Sequence, residues 1–215
     1  MKKILIYLLF YFMLSFFMLE IVTAQVTNRI ERPQGFKVQF VVGSNISQLD
    51  GDDLMGYRKF GLRAGTQINY ALYTRGGLSV GLFYDEKGSS NSFSFKSSGN
   101  QQNTKLTYLS IPLDFYFDSA YRSEIQKHRI RVRLGIAISR LFDITSENSL
   151  FADHTKLFNS FDISPNIGLT YSVSKKSGLN LRFETSITNI LDQNQVLDLN
   201  NLRSYLFSIQ YVYSL

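Results

Sequence analysis

RIRVRLGIAISRLF, residues 129–142, places Arg129, Arg131 and Arg133 on one parity and Ile130, Val132, Leu134, Ile136 and Ile138 on the other. Alternation with a period of two means an extended strand whose successive side chains point to opposite sides. In a soluble sandwich the apolar face would be the core. In a membrane barrel it would face lipid, with the arginines inside, and the rest of the chain decides between the two.

Counting this stretch, eight segments alternate in the same sense: 35–43, 60–73, 78–87, 105–117, 129–142, 161–173, 179–190 and 202–214. Most have the length that a tilted strand needs to cross hydrocarbon. The spacers after the first, third, fifth and seventh segments are long and polar, whereas TRGG (74–77) and SKKSG (174–178) are tight turns. Only the spacer 118–128 is longer than this rule wants. Long loops at one end and short turns at the other are the habit of outer-membrane barrels.

The face opposite the apolar one carries the deciding information. It consists of small residues such as Gly61, Gly65, Gly81, Ser110, Gly135 and Gly168, interrupted by Arg63, Arg131, Arg133, Arg182, Asp85, Asp114, Asp162 and Glu184. A solvated sheet face usually carries long lysines and glutamates; this composition suits a cramped lumen. An unpaired charge there would be costly, so these eight residues are expected to pair in an ionic network. Such a network can simply fill the lumen, the favoured reading, or line a gated conduit or small-ligand pocket. An eight-stranded barrel is just wide enough to be filled by side chains.

Aromatic residues bracket the apolar band. Tyr70, Tyr73, residues 115–117, Tyr171, Tyr211 and Tyr213 mark the short-turn end, and Phe60, Tyr84, Phe142 and Phe161 the long-loop end. Amphipathic rings favour both membrane interfaces. Pro112 and Pro165 fall inside strands, where each removes a ladder donor, so a bulge is expected at each. The fold class predicted is therefore all-β, an eight-stranded antiparallel up-and-down transmembrane barrel over residues 35–215. A soluble lipocalin-like barrel is the alternative fold; it would be extractable without detergent.

The N-terminus supplies a route of export. Lys2 and Lys3 precede an apolar run from Ile4 to Met18, and Val22, Thr23 and Ala24 offer a cleavage site. Residues 1–24 read as a secretory signal peptide; a retained anchor competes, but the run is short of the about 20 residues a spanning helix needs. Residues 25–34 are then a short periplasmic segment. Removing Lys2, Lys3 and Glu20 takes the formal net charge from +6 to +5. That excess is mild and dispersed, and nucleic acid is not expected as a partner. Without cysteine, an exported chain is not held by disulfides. The 13 tyrosines and 18 phenylalanines, beside no tryptophan, make a β-rich composition.

No enzyme motif appears, and the two histidines, His128 and His154, cannot form a metal cluster. No cofactor, metal or catalytic residue is expected. A loop-borne centre of His154, Asp153 and Ser160 is the remote alternative, and a solvated loop histidine the plainer one. The acidic run Asp50, Asp52 and Asp53 could hold calcium, but a solvated turn is favoured. The last strand, with Phe207, Ile209, Tyr211 and Tyr213 ending at Leu215, resembles the C-terminal signal read by barrel-assembly machinery.

Residues 43–70 (GSNISQLDGDDLMGYRKFGLRAGTQINY), 108–117 (YLSIPLDFYF) and 133–142 (RLGIAISRLF) together resemble the PorT-type outer membrane β-barrel proteins of the Bacteroidetes. The matching features are a G-x-N-x-S start, a Y-L-x-I-P-L strand whose proline is Pro112, and an arginine-rich strand with a central glycine. The resemblance implies an eight-stranded barrel in the outer membrane; outer-membrane lipid and, through the C-terminal strand, barrel-assembly machinery are the partners expected. The name-giving member is associated with type IX secretion and gliding, which makes secretion or envelope proteins further candidate partners. Three functions are compatible: a non-enzymatic accessory or structural protein, a ligand-binding or narrow transport barrel, and a loop-borne enzyme.

Overall fold

The computed structural model describes residues 35–50, 58–73, 75–90, 103–119, 121–122, 127–128, 130–146, 158–191 and 202–215. The expected leader, the segment 25–34, the acidic residues Asp52 and Asp53, and Asp153 and His154 lie outside them.

The described residues form ten strands: β1 (Phe36–Asp50), β2 (Lys59–Tyr73), β3 (Gly76–Ser90), β4 (Asn103–Asp118), β5 (Tyr121–Arg122), β6 (Lys127–His128), β7 (Ile130–Ser146), β8 (Phe161–Ser172), β9 (Ser177–Thr185) and β10 (Arg203–Ser214). Eight of them close a barrel in the order β1-β10-β9-β8-β7-β4-β3-β2, each pair antiparallel. Closure is achieved by β1 pairing with β10, from Gln39 opposite Ser214 to Asp50 opposite Arg203. No barrel strand is left with an unpaired edge.

Burial along β7 settles which face is inside. Leu134, Ile136 and Ile138 are 39%, 49% and 45% exposed, whereas Arg133 is 1% and Ser139 0% exposed. The same inversion runs around the barrel: Leu109, Ile111 and Leu113 of β4, Ile167 and Leu169 of β8, and Leu179 and Leu181 of β9 all face outward. Water could not solvate such a belt without a large hydrophobic cost; hydrocarbon can.

The aromatic rims are occupied largely as expected. Phe36 and Tyr70 meet at the short-turn end with centroids 4.8 Å apart, and Tyr84 and Phe142 at the long-loop end at 6.2 Å. Tyr116 departs from the pattern. It lies on the inward parity of β4, buried beneath Arg131, whose guanidinium carbon is 3.9 Å from the ring centroid.

Several strand boundaries differ from expectation. Residues 44–50 continue β1 rather than forming loop, and β3 and β7 run on to Ser90 and Ser146. Beyond the lipid belt the outer face of a strand meets polar surroundings, so the apolar-outward alternation fades while the hydrogen-bond ladder continues. The overlong spacer after β4 contains the hairpin β5-β6, which absorbs the extra residues. The seventh predicted strand stops at Thr185, because Ile190 and Leu191 leave the wall to bury themselves in an apolar cluster at the mouth.

The bulges expected at Pro112 and Pro165 are absent. The β3-β4 ladder pairs Val80 with Leu113 and resumes with Phe83 opposite Ser110 in unchanged register, so the missing donor of Pro112 is taken up as a gap. Pro165 pairs with Ile136 on one side and lies just past the last β8-β9 pair, Asn166 with Glu184, on the other. Register shifts fall instead between Ala71 and Tyr73, and opposite Thr107 and Tyr108, where Phe142 is the extra residue in β7. The second shift reverses the parity of β7, so that Ile144 packs with Leu141 against the mouth cluster.

Candidate functional site

The lumen is the candidate site, and its sequence positions explain its contents. Inward residues recur at every second place along each strand, so glycines opposite long side chains set the room available. Gly43 pairs with Arg63 and with Gln210. At Gly135 a Cβ would collide with the carbonyl of Leu113 and with Asp114 Oδ1. A bare glycine there lets the Asp114 carboxylate lie across the strand.

At the long-loop end the interior is apolar. Leu49, Leu106, Tyr108, Phe158, Ile190, Leu191 and Leu202 form one buried cluster, with Leu141 and Ile144 packed against it. Beneath it runs a connected ionic network. Glu184 Oε1 accepts from Arg63 Nη1 at 2.9 Å and Arg182 Nε at 2.6 Å. Arg63 Nη1 also reaches both oxygens of Asp85, at 2.9 and 2.8 Å, and Arg182 engages both oxygens of Asp114, at 2.9 and 3.3 Å. Lys87 joins the system at 3.3 Å from Asp162 and 3.7 Å from Glu184. Asp162 further accepts from Ser164 and Thr188, each at 2.9 Å.

Six of the eight expected residues thus belong to one network: Arg63, Asp85, Asp114, Asp162, Arg182 and Glu184. Arg131 is elsewhere, paired in a fork with Asp118 at 2.6 and 2.7 Å. Arg133 corrects the expectation that all would pair. It is buried, yet among the described residues it has no carboxylate within ion-pair distance. Its guanidinium donates to Thr170 Oγ1, to Gln39 Oε1 at 3.2 Å and to Asn69 Oδ1 at 3.4 Å.

Sequence reasoning missed two members. Lys87 shares the parity of Asp85 and could have been found from it. Asn45, which donates to Asp85 Oδ1 at 3.2 Å, fell beyond the predicted end of the first strand at residue 43. Its side chain reaches β3 across the bare Cα of Gly61, itself paired with Asn45. The glutamine hub was also missed: Gln39 Oε1 accepts from Gln67 at 2.6 Å and Asn69 at 2.9 Å.

Chemically, the arrangement fills and braces. Each carboxylate of the network is engaged by a cation, and the guanidinium of Arg63 also lies 4.5 Å from the Phe83 ring centroid. Among the described residues no three His, Cys, Asp or Glu side chains converge as ion ligands. Towards the short turns a cavity of about 20 Å³ adjoins Arg131 and Arg133, room for about one water molecule.

Residues 23–192 match the family described as Outer membrane protein beta-barrel domain. No curated protein matches the sequence. Among solved structures, the chain is similar to Ail, the attachment invasion locus protein of Yersinia pestis, at 12% identity and a TM-score of 0.49, covering 85% of this chain and 100% of that one. Neisserial surface protein A is similar at 17% identity and a TM-score of 0.45, covering 85% and 99%. OprG of Pseudomonas aeruginosa is similar at 11% identity and a TM-score of 0.45, covering 86% and 97%.

Proposed function

The chain belongs to the outer membrane protein beta-barrel domain family and lies in the outer membrane, and from that premise we propose that it serves there as a non-enzymatic structural or accessory protein. One observation carries this reading. Among the described residues, the apolar cluster at the mouth and the ionic network beneath it occupy the lumen in successive layers. A barrel filled in this way offers solutes no passage, so its work falls to its surfaces.

The long-loop end is the working surface. Past the aromatic rim at Tyr84 and Phe142, β3 and β7 extend to Ser90 and Ser146, and β1 extends past Ile46, opposite Phe60, to Asp50. Strands carried above the membrane present their connecting segments to partners. The resemblance of residues 43–70, 108–117 and 133–142 to PorT-type proteins supports secretion or envelope proteins as those partners. Outer-membrane lipid surrounds the belt, and the outward row Phe207, Ile209, Tyr211 and Tyr213 of β10 is the feature that barrel-assembly machinery would read.

The test is a deletion strain beside its parent, with supernatant and outer-membrane protein profiles compared and a tagged copy restored. Exported cargo trapped in the periplasm is the result expected of a secretion accessory. An unchanged profile, with the tagged barrel in the outer membrane, removes the secretion role; heightened sensitivity to detergent would then mark an envelope role. Loss of a hydrolytic activity on His154→Ala would overturn the non-enzymatic reading.

A further inference from the structure

Charge is unevenly divided along the lumen. The network beneath the mouth holds three cations, Arg63, Lys87 and Arg182, against four carboxylates, Asp85, Asp114, Asp162 and Glu184. Among the described residues the layer nearer the short turns holds Arg131 and Arg133 against Asp118, and Asp118 is taken in a fork by Arg131. One negative excess and one positive excess therefore lie on different layers. The positive one is Arg133.

Arg133 is 1% exposed. Its partners are neutral oxygens already engaged with one another: Thr170 Oγ1 donates to Asn180 Oδ1 at 2.9 Å, and Gln39 Oε1 accepts from Gln67 and Asn69. Its Nε is buried with no partner. A guanidinium removed from water with no carboxylate in direct contact carries a desolvation cost that a nearby anion would offset. Beside it is the cavity of about 20 Å³, lined by Gln39, Asp118, Arg131, Arg133, Thr170 and Ser172 together with Gly178 and Val212. Two guanidinium groups against one carboxylate, room for a small particle and a buried cation with no ion-pair partner among the described residues occur together.

We propose that this cavity is a binding site for one small monovalent anion of chloride's size, with Arg133 as its charge partner. Arg133 and Arg131 repel cations, and the one carboxylate in the wall, Asp118, is taken in a fork by Arg131. The site lies on the short-turn side of the ionic network and requires no passage through the barrel.

The experiment uses the purified full barrel in detergent, with sodium gluconate exchanged for sodium chloride at constant ionic strength. Native protein is expected to show a thermal midpoint that rises and saturates with chloride, and Arg133→Gln to lose that rise. Crystals of the native chain grown in bromide should show an anomalous peak in contact with the Arg133 guanidinium. An equal chloride response in native and R133Q protein, or no bromide at Arg133, overturns the proposal. Should R133Q fail to refold, the bromide crystal of the native chain decides.

Discussion

Glu184 stands at the centre of the lumen because it faces three cations at once, Arg63, Arg182 and Lys87. Removing one partner of a buried pair costs about 3–5 kcal/mol where the other charge is left alone. Arg63, Lys87 and Arg182 keep Asp85, Asp162 and Asp114, so Glu184→Gln is expected to destabilise the barrel by less than that, read as a lower urea midpoint for unfolding from lipid vesicles. Gly135→Leu acts through a neighbour: a side chain there drives into the Asp114 carboxylate and separates it from Arg182. It should destabilise the barrel in both backgrounds through the Leu113 carbonyl, and by somewhat less in an Asp114→Asn background, where no ion pair with Arg182 is left to lose, a partial non-additivity that a double-mutant cycle measures. Parity alone made Arg63, Asp85, Asp114, Asp162, Arg182 and Glu184 legible as inward residues. The pairing of Arg131 with Asp118 and the isolation of Arg133 were not legible, because partners across a lumen depend on strand stagger, which no single strand encodes.

Strand β7 shows what an element's sequence can and cannot say. Its alternation assigned Arg131 and Arg133 to the interior, where they lie, while Arg129 falls outside the described residues; the exposed Ile136 lies midway along the apolar band. Ile136→Arg should therefore cost about 2–4 kcal/mol in a bilayer, as for a basic residue at the midplane of a barrel's lipid face, measured by the same unfolding titration. A soluble sandwich would place Ile136 in its core and Arg133 in water. The extra residue at Phe142 was hidden, since a bulge reverses parity just where alternation is already weakening. The prolines misled in the opposite direction: Pro112 needs no bulge because a missing donor can be accommodated as a local gap in one ladder while the register holds.

At the scale of the whole molecule, the count of barrel strands, their antiparallel order and the lipid-facing belt were all legible, because each follows from period-two patterning and spacer length. The apolar mouth cluster was not: Leu49, Phe158, Ile190 and Leu191 come from positions read as loop or as the end of a wall strand. They meet only once the barrel is closed. That cluster, with the ionic network under it, fills the lumen between the described strands. The native barrel should show heat-modifiable gel mobility, as a closed hydrogen-bonded cylinder resists detergent until heated. The most direct test of the filled lumen is conductance of the purified native protein in a planar bilayer, recorded at both polarities. Current indistinguishable from the bare membrane is the predicted result; discrete, uniform steps reproduced across preparations would contradict it.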